Sequence, residues 1–270
     1  MRQRRLGRDG AGDEQRSDGG RSRPNDPLTA YLPKWVHEWS CSCAVVIPRT
    51  YPTYRRQRVI SYVNDSSVDL LRRDAGALLD RATGRVIVGL TGPPGAGKST
   101  VAQALVEAVG DAAYLPMDGF HRSNADLDRL GRRDRKGAID TFDAAGYVAA
   151  LRAVRAGYRR QAVSAPGFDR GRDEPVPARH VIPAECLLLV TEGNYLGVPE
   201  GEWAAVRGLL DKLYYVDCPS SIRRKRLVAR HIGGGRTPEA AAAWADNVDQ
   251  ANAALIATTR QYCDFVIDGC

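Results

Sequence analysis

Gly92, Gly97, Lys98 and Ser99 stand at the spacing G-x-x-x-x-G-K-[ST] inside the run LTGPPGAGKST, Leu90 to Thr100. That spacing suits one task, the holding of a nucleotide's phosphates. Glycine lets the backbone curl until successive N–H groups converge on phosphate oxygens. Lys98 then reaches the β- and γ-phosphates, and the Ser99 hydroxyl ligates Mg²⁺. The expected nucleotide-binding set is Gly92, Pro93, Pro94, Gly95, Ala96, Gly97, Lys98, Ser99 and Thr100.

Two acids bear on where the terminal phosphate goes. Glu192 ends the apolar run Leu187-Leu-Leu-Val-Thr-Glu192. A carboxylate so placed contacts Mg²⁺ directly or through water, which makes Ser99 and Glu192 the expected metal ligands. Asp118, in Met117-Asp-Gly-Phe-His121, follows a second apolar run. Beside the γ-phosphate it would accept the proton of an attacking hydroxyl and align its oxygen. His121, three residues on, is placed to touch the same acceptor. Phosphoryl transfer asks for little beyond such positioning and charge neutralisation.

These groups need strands and helices to hold them. Arg85-Val-Ile-Val-Gly-Leu-Thr91 is β-branched and apolar, as a buried parallel strand should be. Val101, Ala102, Leu105, Val106 and Val109 then recur at helical spacing, with Gly110 as the stop. Val68, Leu70, Leu71, Ala75, Leu78 and Leu79 predict an amphipathic helix ahead of the first strand. Further strands are expected at 112–117, 187–192, 212–217 and 264–268. Asp143 is the expected N-cap of a helix running to Ala156, with Gly157 past its end. Residues 161–168 and 176–182 read as a hairpin around the turn 169–174. An arginine-rich helix from Ser220, the run Gly233-Gly-Gly235 and a long alanine-rich helix from Pro238 complete the pattern. Strands alternating with helices predict a parallel sheet in an α/β fold, with the site at the strands' carboxyl ends.

The chain has 270 residues, 43% of them hydrophobic, enough for one α/β domain with a substantial core. Residues 1–64 differ in composition: charged and glycine-rich at first, then carrying Trp35 and Trp39 without a clear period. They are expected to form a disordered or partly ordered extension, leaving 65–270 as the catalytic domain. No apolar run approaches a membrane span. Cys41-Ser-Cys43 lacks the second pair that a zinc site needs. Cys186 and Cys218 border strands and are expected to pack there as small apolar residues, and a reducing cytoplasm is the default compartment. The net charge of +7 is spread over three separate basic runs, which argues against nucleic acid as the partner.

MDGFH, followed by RKGAIDTFDAAGY, APGFDR, TEGNY and an arginine-rich helix, resembles the phosphoribulokinase/uridine kinase family. The similarity is strongest to the bacterial branch of nucleoside kinase-like and fructose kinase-like proteins, related to the prokaryotic pantothenate kinases, and spans about Val68 to Cys270. The resemblance implies a three-layer P-loop NTPase fold with a mainly parallel sheet, a substrate-covering β-hairpin and a helical lid. It implies ATP and Mg²⁺ as cofactors and Asp118, Lys98 and Arg230 as catalytic groups. Asp118, His121, Asp140, Phe168 and Asp169 would face the acceptor, and Arg226 and Arg230 would close onto the ATP phosphates. Asn252 falls where this branch carries a D-x-x-N motif. The uridine kinases have a tyrosine where this chain has Phe168, which removes a phenolic hydrogen bond to substrate. Kinases of this type often form dimers or tetramers, so a homo-oligomer is compatible with the resemblance.

The leading expectation is an ATP-dependent kinase of a small metabolite bearing a hydroxyl: a nucleoside such as uridine, a sugar, or a pantothenate-like acceptor. The alternative is a P-loop NTPase acting as a regulatory switch or assembly factor. A GTPase switch would carry N-K-x-D for guanine, and the chain has none. Arg223 and Arg224 read equally well as lid residues or as a solvated helix face.

Overall fold

The structure, a computed structural model, describes Arg58–Val59 and residues 67–270. The expected extension otherwise lies outside the described residues, with Trp35, Trp39, Cys41 and Cys43. In chain order the elements are β1 (Arg58–Val59), α1 (Ser67–Leu79), β2 (Val86–Thr91), α2 (Lys98–Val109), β3 (Ala112–Pro116), α3 (Asn124–Arg129), α4 (Ala144–Ala156), β4 (Val163–Asp169) and β5 (Glu174–Ile182). They continue with β6 (Leu188–Glu192), α5 (Ala204–Arg207), β7 (Lys212–Asp217), α6 (Ser220–Gly233), α7 (Pro238–Trp244), α8 (Gln250–Thr258) and β8 (Phe265–Asp268).

The central sheet has the order β1-β8-β7-β2-β6-β3, with every pair parallel. Strand alternation sorts its side chains into two cores. Val86, Val88 and Leu90 of β2, Leu188 and Val190 of β6, and Tyr214 and Val216 of β7 pack with Leu71 and Ala75 of α1 and Val101, Ala102 and Leu105 of α2. Ile87, Leu189, Leu213 and Tyr215, on the other face, pack with Tyr147, Leu151 and Val154 of α4, Val206 of α5 and Ile256 of α8. The result is three layers with helices on both faces. Leu105, Leu189 and Leu213 are wholly buried, each contributing about 1.5–3 kcal/mol of transfer free energy.

Local signals placed most boundaries. Asp143 caps α4 by accepting from the Gly146 N–H, and Gly110 ends α2 with φ 80°. β4 and β5 form a separate antiparallel hairpin. Arg85 opens β2 buried, its guanidinium donating to the carbonyls of Cys186, Val154, Pro183 and Ala184 at 2.5–3.0 Å. An unpaired buried charge would cost several kcal/mol, so this set of acceptors ties α4 to the entry of β6.

Two expectations need correction. The alanine-rich helix from Pro238 is not regular: a π turn at Ala245–Asp249 divides α7 from α8. Cys218 is not a lone apolar residue but is bonded to Cys270, with Cα atoms 5.9 Å apart. The pairing follows from register, since Asp217 of β7 lies opposite Asp268 of β8, so the residues just past both strand ends meet. Cys186 is buried and free, as its sequence position suggested. Among the described residues no helix is long and apolar enough to cross a membrane.

The disulfide closes a span of 52 residues, a length for which cross-linking stabilises by about 2–5 kcal/mol. Peptide mapping of oxidised protein should therefore recover the Cys218–Cys270 cross-link. Cys218→Ser should lower the unfolding free energy in urea by about that amount under oxidising conditions and by much less in reductant. Equal stability of the two proteins in both conditions would contradict the pairing.

Candidate active site

Parallel register brings the chemistry to one edge. Glu192 lies opposite Leu90 of β2 on one side and Pro116 of β3 on the other. The phosphate loop leaves the end of β2, and Asp118 comes two residues after Pro116. Gly97 precedes α2 with φ 94°, a conformation that glycine takes without strain, and a β-carbon there would lie 2.7 Å from the Gly269 carbonyl oxygen. No side chain caps α2, so its first N–H groups are available to an anion.

Lys98 is buried and donates to the carbonyls of Gly92 at 2.9 Å and Pro93 at 3.1 Å. Burial lowers its pKa to about 8, against the opposing pull of Glu192 and Asp118. Glu192, also buried, accepts from the Ser99 hydroxyl at 3.0 Å and the Tyr114 phenol at 2.8 Å. Burial and the neighbouring Asp118 push its carboxyl pKa up, with Lys98, Tyr114 and Ser99 opposing. A hydroxyl and a carboxylate oxygen side by side at a helix N-terminus are hard ligands of the kind Mg²⁺ takes beside phosphate.

Asp118 sits on a single 3₁₀ turn, Met117–Phe120, and its Oδ2 accepts from Arg170 at 3.0 Å. Burial would raise its pKa, but His121, Arg170, Arg230 and Lys98 outweigh that and hold it low. The next residue, Gly119, is covered by the hairpin; a β-carbon there would lie 2.2 Å from the Pro166 carbonyl oxygen. His121 Nδ1 lies 2.8 Å from the Asp118 carbonyl oxygen, and its ring packs between Phe142 and Phe168 at centroid distances of 3.9 and 4.7 Å. Burial lowers the His121 pKa further than Asp118 raises it.

The remaining expected acceptor residues fall around this turn with different tasks. Asp140 is engaged by Arg135 at 2.9 Å and Arg132 at 3.3 Å. Asp140, Asp249 and Asp118 all add to the rise that burial imposes on the Tyr195 phenol pKa. Phe168 carries the buried Lys136 ammonium 5.1 Å above its ring. Asp169 uses Oδ1 to accept from the N–H groups of Gly171 and Arg172, closing the hairpin turn, while its neighbour Arg170 reaches Asp118.

The lid helix shows why its arginines differ. Arg223, Arg226 and Arg230 recur at three- and four-residue intervals and share one face of α6. Arg223 is buried and donates to the Pro94 and Cys218 carbonyls at 3.3 and 3.2 Å. Arg226 reaches the Gly95 and Gly269 carbonyls at 3.3 and 3.1 Å, bracing the rim of the loop. Arg230 stands among the site's charges: partial burial and Arg170 lower its pKa, with Asp249, Asp118 and Glu192 opposing. Arg224 faces away and pairs with Asp246 at 2.6 Å, so the two readings left open for the adjacent arginines divide between them.

The D-x-x-N motif also gains a task. Asp249 meets His231 of the lid helix at 2.7 Å, and the Asn252 amide donates to the Gly137 carbonyl at 3.2 Å, beside the Tyr195 hydroxyl at 2.6 Å. It thereby joins the lid to the loop that carries Asp140. Tyr114, Lys136, Arg170 and Asp249 were not singled out from sequence. Alternation along β3 points Tyr114 toward the side of Pro116, and Arg170 stood inside a motif already noticed, but their partners are 52 to 78 residues away.

The family model for phosphoribulokinase and uridine kinase matches residues 87–270. An uncharacterized protein of Escherichia coli, YggC, is 33% identical over 191 residues, spanning 68% of this chain and 78% of its own. A candidate uridine kinase of Schizosaccharomyces pombe is 32% identical over 214 residues, spanning 75% and 90%. Among solved structures, a candidate fructose transport system kinase from Silicibacter sp. TM1040 matches with TM-score 0.69 and 33% identity, over 75% of this chain and 99% of that one.

Gly119→Ala should push the hairpin off the Asp118 turn, since the obstacle is backbone. The expected cost is about 1–3 kcal/mol in urea unfolding, and wild-type stability would show that the turn relaxes freely. A pH test addresses His121, whose folded pKa lies below the 6.5 of the free side chain. The unfolded chain therefore takes the proton first, and stability falls as pH drops through that value. His121→Gln should shrink the stability loss between about pH 7.5 and 5.5, and an unchanged loss would place the burial penalty elsewhere.

Proposed function

Because the chain belongs to the phosphoribulokinase/uridine kinase family, we propose that it is a kinase that transfers the γ-phosphate of Mg·ATP to a hydroxyl of a small metabolite, with Asp118 as the base. The observation that carries this reading is the placement of a carboxylate, Asp118, two residues past the end of β3, beside Glu192 and the phosphate loop at one sheet edge and under a separate hairpin. A switch that hydrolyses its nucleotide has no need of a hairpin laid over the Asp118 turn, with Phe168 against His121.

Each group then has a physical task. The loop's N–H groups hold the β-phosphate, and Lys98 exchanges the carbonyls of Gly92 and Pro93 for phosphate oxygens. Ser99 and Glu192 would hold Mg²⁺, which when bound neutralises charge on the phosphate oxygens. Glu192 gives up its bond from Ser99 in doing so but keeps the one from Tyr114. Asp118 accepts the acceptor's proton. Arg230 adds positive charge from the lid, and lid and hairpin together exclude water that would otherwise take the phosphate.

The acceptor fits the class of a nucleoside such as uridine, a sugar or a pantothenate-like alcohol. The names of the relatives point to uridine and fructose, and the site's mixture of aromatic wall and paired ions accommodates polyhydroxylated molecules.

ADP release from Mg·ATP across nucleosides, pantothenate, fructose and sugar phosphates tests the reading. One acceptor should stimulate turnover. Lys98→Ala should abolish it, and Asp118→Asn should cut it by a factor on the order of 10² or more while leaving ATP affinity intact. Slow hydrolysis indifferent to every acceptor and to Asp118→Asn would return the phosphate to water and favour a switch.

A further inference from the structure

Among the described residues, Arg170 is the hairpin side chain that hydrogen-bonds the proposed base. It stands in the turn between β4 and β5, and its Nη2 donates to Asp118 Oδ2 at 3.0 Å. A base clamped this way is poor, because the guanidinium stabilises the carboxylate and occupies the atom that must take the proton. Arg170 also lies close enough to Arg230 to lower that residue's pKa. Two guanidinium groups disposed toward one site can hold an anion together.

The mount of Arg170 is built rather than loose. Asp169 closes the turn through the N–H groups of Gly171 and Arg172 at 2.9 and 3.1 Å. The buried Lys136 pairs with Asp173 at 3.2 Å, and Glu174 accepts from the Asn124 N–H at 3.0 Å. The β5 end of the turn is thus anchored to residues 124–136. Arg172 provides the contrast: its side chain is 83% exposed and lies 4.0 Å from Asp169.

We propose that Arg170 is a catalytic arginine supplied from the acceptor side, which exchanges its ion pair with Asp118 for the oxygens of the γ-phosphoryl group in flight between Arg170 and Arg230. The exchange does two things at once. It frees Asp118 to accept the acceptor's proton, and it places a fork of N–H donors on charge that develops during transfer. In the step, the acceptor oxygen bonds to the γ-phosphorus as the bond from phosphorus to the bridging oxygen breaks. The electron pair stays on ADP, and the proton goes to Asp118. Without acceptor the site is self-inhibited against hydrolysis, since Arg170 then stays on the base. This inference rests on the kinase reading above and deepens it.

The test compares wild type, Arg170→Gln, Arg170→Lys and Arg172→Gln. With the best acceptor of the panel, Arg170→Gln should lower kcat on the order of 10²-fold, as removing one transition-state donor does, with KM for ATP changed only a few-fold. Arg170→Lys should recover part of the loss, and added guanidinium ion should partly rescue Arg170→Gln. Arg172→Gln should match wild type. Binding of Mg·ADP with aluminium fluoride, a mimic of the transferring phosphoryl group, needs no acceptor and should weaken at least tenfold in Arg170→Gln while Mg·ADP alone binds as before. A kcat within threefold of wild type, a loss confined to acceptor KM, or unchanged aluminium fluoride binding would overturn the proposal. If wild type responds to no acceptor, the kinase reading fails by itself, and the aluminium fluoride comparison still decides the role of Arg170.

Discussion

A buried ammonium at the edge of a parallel sheet sets the terms for the rest of this molecule. Lys98 is largely withdrawn from bulk water, and the cost of that burial is visible in the fall of its pKa to about 8. Only carbonyls and carboxylates at close range make such a charge tolerable. The loop supplies two carbonyls, and the ends of β6 and β3 supply Glu192 and, just beyond, Asp118. Three strands must therefore end level with one another. Two separate apolar cores, one on each face, hold them there.

The same electrostatic arrangement explains why opposite shifts coexist at adjacent carboxylates. Glu192 is pushed up by burial and by Asp118, whereas Asp118 is held down by His121 and three basic groups. Two carboxylates with pKa values driven apart suit two roles, one binding a cation and one handling a proton. The cluster pairs its charges internally: Lys98 on carbonyls, Arg170 on Asp118, the Ser99 hydroxyl on Glu192.

Lid and hairpin approach this frame from different directions and are linked behind it. Arg223 and Arg226 of α6 grip loop carbonyls, while Gly119 lies directly under the Pro166 carbonyl of the hairpin. Behind them the π turn and α8 supply Asp249 to His231 and Asn252 to Gly137. A π turn places an extra residue into a helix and re-aims the side chains of the next turn. Here it sits between the alanine-rich helix and the two residues that join the lid to the loop of Asp140.

The sequence by itself determined much of what depends on near neighbours, though not the π turn at Ala245–Asp249. The glycine spacing of the loop, the period-two and helical apolar patterns, the Asp143 cap and the ends of β2 and α2 were legible because each is fixed within a few residues. So was the convergence of the loop, Asp118 and Glu192, since parallel strands present their carboxyl ends together. Tertiary structure alone decided the choice of partners across long spans. It gave Arg170 to Asp118, Tyr114 to Glu192 and Cys270 to Cys218, and it separated a buried Arg223 from an exposed Arg224. Composition shows that charges and thiols exist, but which ones meet depends on strand register and helix rotation. Those are set by packing of the whole domain, where a shift of one residue sends a side chain to the opposite face.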